Sequence, residues 1–301
     1  MNDLITDVKS LEIETLKNLK NSKANNTLRA YQSDFRDFSI FCSRNGLSSL
    51  PTQPKIIALY ITNLSKSSKF STLKRRIASI SVIHKIKGHY LDTKHPIIVE
   101  NLHGIKRALG SRQKSKKPIL IKDLKLIIKV IDDKKFRDKA LILIGFAGGF
   151  RRSELVNIDY NDVEFVPEGV KILIKRSKTD QSGEGSIKAI PYFNNQEFCP
   201  VLALKKYIKF KFNDDKGGKI FEISDKSVAL IIKRYAGKAG LDSSRYAGHS
   251  LRSGFATTAA EFGAEERNIM AMTGHKTTQM VRRYIQEANL FKNNALNKIK
   301  I

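Results

Sequence analysis

Residues 249 to 284 read HSLRSGFATTAAEFGAEERNIMAMTGHKTTQMVRRY, and this stretch organises the chain. His249 and Arg252 are three positions apart, so on a helix they share one face. Gly274-His275 follows. Tyr284 stands nine residues after His275, behind the basic pair Arg282-Arg283. Two imidazoles, a guanidinium and a phenol in one short segment suit a phosphate. Read one at a time, they are ordinary: a capping histidine, a surface arginine, a turn with a packed imidazole, a core tyrosine.

Upstream, Gly148-Gly149-Phe150-Arg151-Arg152-Ser153-Glu154-Leu155 is a glycine turn into a short helix. Arg151 with Glu154 at i+3 is an ordinary helix ion pair, or an arginine aimed at a phosphate and held by the carboxylate beneath it. Farther on, Ser177-Lys178-Thr179-Asp180-Gln181 lies between two expected strands. Lys178 there is an exposed hairpin lysine, or a proton donor whose pKa falls among other cations. Lys175 is the alternative for that role.

Size and charge frame these motifs. A chain of 301 residues is expected to form about two domains, each with its own core. The formal net charge of +26 points to a polyanionic partner, most simply nucleic acid. Cys42 and Cys199 have no metal-ligand spacing and fit a reducing compartment. The longest apolar run, Ala140 to Phe150, is too short to span a bilayer, and the polar N-terminus has no signal-like apolar core. A cytoplasmic protein with no membrane partner is expected.

The first 110 residues read as all-helical. Leu28, Tyr31, Phe35, Phe38 and Phe41 recur at helical steps, with Asn26 or Thr27 as cap and Gly46 as stop. Further helices are expected over Pro54 to Leu64, from Ser71 onward with Leu73, Ile77, Ile80 and Ile83 buried, and over Ile97 to Leu109. Between Lys55 and Leu91 there is no acidic residue, while Lys66, Lys69, Lys74, Arg75 and Arg76 fall inside that window. The missing counter-charge predicts a phosphate-facing surface. Tyr60 and Tyr90 are expected to pack rather than to stack on bases.

Gly110 to Pro118 is the linker candidate, polar and basic through Lys114, Lys116 and Lys117. This divides the chain into a helical domain (1–110), a basic linker (111–118) and a second domain (119–301). In the second domain, helices are expected over Leu124 to Ile131, Phe136 to Phe146, Pro200 to Phe210 and Ser227 to Ala239. Strands are expected over Val163 to Val166, Val170 to Lys175 and Ser186 to Pro191, the last two joined by a hairpin at Ser182-Gly183-Glu184-Gly185. The fold class is mainly α with a small antiparallel β-sheet.

The order Arg151, Lys178, His249-x-x-Arg252, Gly274-His275, Tyr284 resembles the tyrosine recombinase family, the phage integrases and Xer-like recombinases. The likeness covers essentially the whole chain, and its most specific parts are the His249 to Arg252 motif and the step from His275 to Tyr284. The chain departs from the usual first arginine box in having Phe150 where leucine is common and Arg152 where an aliphatic is common. Which of the two arginines faces the phosphate is thereby open, with Arg151 preferred.

The resemblance implies a helical core-binding domain and an α+β catalytic domain. It implies that Tyr284 attacks a DNA phosphate to give a 3′-phosphotyrosine and a free 5′-hydroxyl. Arg151 and Arg252 would hold the non-bridging oxygens, Lys178 would protonate the leaving oxygen, and His249 would act as base or orient the tyrosine. His275 would donate to the phosphate, with Glu154 supporting Arg151. No metal or other cofactor is implied. The implied partners are double-stranded DNA recombination sites, bound by a homotetramer on two paired sites, with a second recombinase or accessory proteins left open. The segment around Leu296 and Ile299 would pack on its own domain or dock on a neighbouring subunit. Two other readings stand beside this one: a type IB topoisomerase working as a monomer, and a DNA-binding protein without catalysis.

Overall fold

The computed structural model describes residues 25–110, 116–175, 185–212 and 217–289, together with Ser10, Leu11, Ile13, Glu14, Phe291 and 295–299. Lys114 and Lys178 lie outside the described residues. The chain divides into two compact units, Met1–Lys114 and Ser115–Ile301.

The first unit is built from α1 (Asn25–Arg44), α2 (Pro54–Ser65), α3 (Phe70–Ile86) and α4 (Pro96–Leu109). Pro54 and Pro96 open their helices at the first turn, where the missing N–H goes unneeded. Phe38, Ile57, Tyr60, Ile61, Ile77, Ile80 and Ile98 form the core. Asn26 and Thr27 lie inside the first turn of α1 rather than capping it. Tyr60 is buried as expected, but Tyr90 stands 87% exposed and does not pack.

The expected uncompensated basic surface is only partly present. Asp34, buried on α1, is ion-paired with Arg75 and with Arg76, and Arg76 also meets Asp37 at 2.7 Å. A window that was free of acids in sequence receives its counter-charges from a helix some forty positions upstream. Lys66, Lys69 and Lys74 remain exposed.

The second unit centres on α6 (Phe136–Ala147), whose residues from Ala140 to Ala147 are all buried. Around it lie α5 (Ile121–Lys129), α7 (Arg152–Leu155), α8 (Pro200–Phe212), α9 (Asp225–Lys238), α10 (Ser250–Glu261), α11 (Glu266–Thr273) and α12 (Thr278–Ala288). Ser224 caps α9 by accepting from the Ser227 amide, which starts that helix ahead of the expected Ser227.

A three-stranded antiparallel sheet runs in the order β1 (Val163–Val166), β2 (Gly169–Ile174), β3 (Ser186–Pro191). Register pairs Val170 with Ile190 and Ile172 with Lys188. Alternation therefore turns Lys188 inward beside Val170, Ile172, Ile174 and Ile190.

The end of the expected linker is anchored, not free. The Lys117 amide donates to Arg245 O at 2.8 Å and the Ile119 amide to Ser250 O at 2.9 Å. Lys117 Nζ also bonds Asp123 Oδ2 and the Tyr246 hydroxyl. Lys116 is exposed and donates to Ser244 O. Among the described residues, no helix is long and apolar enough to cross a membrane.

Candidate active site

Three short devices bring the polar residues together. The first is the turn after α6. Gly149 adopts φ +55°, a left-handed conformation natural to glycine, and sends the chain into α7. Arg151 caps α7, and its amide donates to Glu154 Oε2 at 2.9 Å while Nη1 donates to Oε1 at 2.5 Å. One buried carboxylate thus serves both backbone and guanidinium. Arg152 faces elsewhere and pairs with Asp225 at 3.1 Å. Arg151 is the box arginine that faces the other site residues.

The second device is the start of α10. His249 is its N-cap and Arg252 sits one turn in. Arg252 is among the largest fully buried side chains, at 1% exposure. Its Nη1 donates to Gly149 O at 3.0 Å, but Nη2 is buried and has no partner among the described residues. A desolvated guanidinium nitrogen without an acceptor is costly, and an acceptor placed here would remove that cost. Burial first, then Arg151, lower the Arg252 pKa to about 10, which leaves it charged at neutral pH.

The third device is the turn after α11. Gly274 is the left-handed C-cap at φ +62°, and its carbonyl accepts from Arg151 Nη2 at 3.2 Å. His275 follows, buried, with Nδ1 2.7 Å from Thr273 Oγ1. The Thr273 hydroxyl lies 2.6 Å from Ile269 O. If it donates there, Nδ1–H must donate to it; if it donates to Nδ1, His275 presents Nε2–H to the site. Burial, followed by Arg252 and Arg151, pushes the His275 pKa down to about 4, so the ring is neutral near pH 7.

Tyr284 projects from α12. Val281, with Ile285 and Ala288, packs this helix on Ala256, Ala260 and Ile269. The small alanine face of α10 allows that close approach. The Tyr284 hydroxyl lies 3.4 Å from His249 Nε2, and its ring lies 6.0 Å from that of His275. Burial, Arg252 and Arg151 lower the His249 pKa, favouring a neutral imidazole that can accept a proton. Arg151, His249, Arg252, His275, Tyr284 and Glu154 therefore converge within one chain.

Lys175 does not suit the role of a proton donor. It meets Asp162 Oδ1 at 2.7 Å and Asp159 Oδ2 at 3.4 Å, and the hydrogen bond to Asp162 raises its pKa. Sequence reasoning missed Lys188, a lysine at an inward position of β3. Its signal was a charge where strand alternation calls for an apolar side chain. Among the described residues, no group of three or more His, Cys, Asp or Glu is placed to hold a metal.

The profile of the phage integrase family matches residues 119–290. An integrase/recombinase XerD homologue from Selenomonas ruminantium is 43% identical over 99% of this chain and 92% of its own length. The chain belongs to the phage integrase family. It is a tyrosine-type site-specific DNA recombinase. The fold is similar to that of a lambda integrase dimer bound to a COC′ core site, with TM-score 0.61, 18% identity and coverage of 99% of this chain and 81% of that one. A lambda integrase tetramer bound to a Holliday junction gives TM-score 0.60 at the same identity and coverage.

Proposed function

We propose that this recombinase cleaves and rejoins duplex DNA through a covalent link between Tyr284 and a 3′-phosphate. The observation that carries the reading is the buried Nη2 of Arg252, which has no partner among the described residues and lies near Arg151 and Tyr284. Arg151 and Arg252 hold the non-bridging oxygens and offset the charge that builds on phosphorus in the transition state. His249, neutral and 3.4 Å from the phenol, takes its proton. A tyrosine hydroxyl ordinarily has a pKa of about 10, so it needs both a base and nearby cations to attack at neutral pH. The phosphotyrosine retains the energy of the broken phosphodiester, and the freed 5′-hydroxyl can reverse the step without ATP.

Lys178 protonates the leaving 5′-oxygen in this scheme. Glu154 keeps Arg151 in place, and His275 donates from Nε2 when the Thr273 hydroxyl donates to its Nδ1. The first unit serves as the core-binding domain, with Lys66, Lys69 and Lys74 on backbone phosphates, and Lys116 at the start of the second unit adds another such contact. Arg75, Arg76 and Lys117 already have carboxylate partners and contribute less. The working form is a tetramer on two paired sites; family membership supports this over a monomeric topoisomerase.

A two-site plasmid separates these readings. Recombination of paired sites supports the proposal, whereas relaxation of a plasmid without sites, with no strand exchange, would assign a topoisomerase. Binding without any covalent adduct would assign the non-catalytic reading.

A further inference from the structure

Lys188 is a buried cation that the chemistry above does not use. It is 5% exposed and sits at an inward register position of β3 opposite Ile172. Its Nζ donates to Gly148 O at 2.6 Å and to Met272 O, and it lies 4.6 Å from the centre of the Phe150 ring. Two carbonyls take two of the ammonium's three N–H groups, and the Phe150 ring lies beside it.

What those carbonyls belong to matters more than their number. Gly148 precedes Gly149, whose carbonyl holds Arg252. Met272 lies two residues before Gly274, whose carbonyl holds Arg151, and three before His275. The two glycine turns come from opposite ends of the second unit's sequence, and Lys188 bonds both of them. A leucine or methionine would fill the same space without burying a charge, and such replacements are often neutral or favourable for folding. Charge here is hard to explain by stability, because Arg151 and Arg252 lie close by and, among the described residues, only Glu154 opposes them.

We propose that Lys188 is a positioning residue for strand cleavage. It locks the Gly148–Gly149 turn to the Met272–Gly274 turn, so that the two guanidinium groups converge on one phosphate. The inference rests on the reading of Arg151 and Arg252 as the phosphate clamp. Displacing one clamp arm by about an ångström is enough to slow a reaction on the order of 100-fold.

The groups facing Lys188 are Glu154 and Arg151 at α7, Arg252 on α10 and His275 after α11. Burial, with Arg252 and Arg151, brings its pKa down to about 8, and Glu154 acts the other way. The folded value is below the ordinary 10.5, so this group's contribution to stability rises as pH climbs from 8 to 10.5. Its charge, and with it the lock, weakens over the same range. A purely structural lysine gives no reason for stability and cleavage to move in opposite directions.

The test compares parent, Lys188→Met and Tyr284→Phe on a nicked suicide duplex under single-turnover conditions with enzyme in excess. Lys188→Met is expected to cleave about 100-fold more slowly at saturating protein, with half-saturation within threefold and a melting temperature unchanged or raised. Cleavage within threefold of the parent would overturn the proposal. So would a loss matched by a fall in melting temperature, since that is a structural role. If Lys188→Met does not fold, Lys188→Gln, which keeps an N–H donor for the carbonyls, takes its place: cleavage at least about tenfold below the parent supports the lock, and cleavage within threefold of the parent overturns it. A parent that forms no adduct, or a Tyr284→Phe variant that still does, sinks the clamp reading itself.

Discussion

Replacing Arg252 with methionine separates folding from chemistry at the deepest point of the site. The side chain is fully buried and, among the described residues, makes one hydrogen bond to Gly149 O and leaves Nη2 without a partner. Losing a hydrogen bond from a charged donor costs about 1.5–3 kcal/mol. Removing a buried, unsatisfied donor returns about 1–3 kcal/mol. Methionine fills similar space, and repulsion from Arg151 disappears. The opposing terms leave the unfolding free energy within about 2 kcal/mol of the parent. Cleavage behaves differently, because deleting one transition-state donor slows a reaction by roughly 100- to 1,000-fold, or about 2.7–4 kcal/mol. Urea unfolding gives the first quantity and single-turnover adduct formation the second. The reasoning is refuted if Arg252→Met loses more than about 4 kcal/mol of stability while cleaving at the parental rate. Arg252 would then be a strut.

Three further outcomes follow from other parts of the structure. His275 has a folded pKa of about 4 against an ordinary 6.5. The unfolded chain therefore binds the proton first, and stability should fall by a few kcal/mol, to within about a factor of two, as pH drops from 6.5 to 4. Urea midpoints across that range check this, and His275→Gln should flatten the curve. In Gly149→Ala, a methyl group would sit 3.0 Å from Phe255 Cδ1 and 3.2 Å from Thr273 Cγ2, at φ +55°. A loss of about 1–3 kcal/mol in urea unfolding is expected, with slower cleavage because Gly149 O holds Arg252. Changing Lys66, Lys69 and Lys74 together to glutamine should lower the slope of log affinity against log salt by about 0.9 per lost phosphate contact. An unchanged slope would place the phosphate contacts elsewhere.

Much of this was legible from residue order. Strand β3 begins and ends at the expected residues, because alternation and flanking turn residues mark it on both sides. The motif from His249 to Arg252 announced a helix start, and Tyr284 does lie beside His249. Long-range charge was not legible. Nothing near Arg75 and Arg76 in sequence shows that Asp34 and Asp37 reach them from α1. Tyr90 was expected to pack and instead faces solvent, since nothing in its local pattern says whether a partner lies opposite. Lys188 was hidden for the same reason: its significance depends on two carbonyls contributed by Gly148 and Met272. Conversely, the structure distinguishes Arg151 from Arg152 where the sequence did not: Asp225 holds Arg152, while Arg151 bonds Gly274 O.

The covalent step is open to direct measurement. Parent protein and Tyr284→Phe are incubated with a nicked suicide duplex carrying the recombination site, and any trapped adduct is digested and sequenced by mass spectrometry. The account predicts a nucleotide joined through its 3′-phosphate to the peptide containing Tyr284, and undiminished DNA binding without adduct in Tyr284→Phe. An adduct on another residue, or one that persists in Tyr284→Phe, would contradict it.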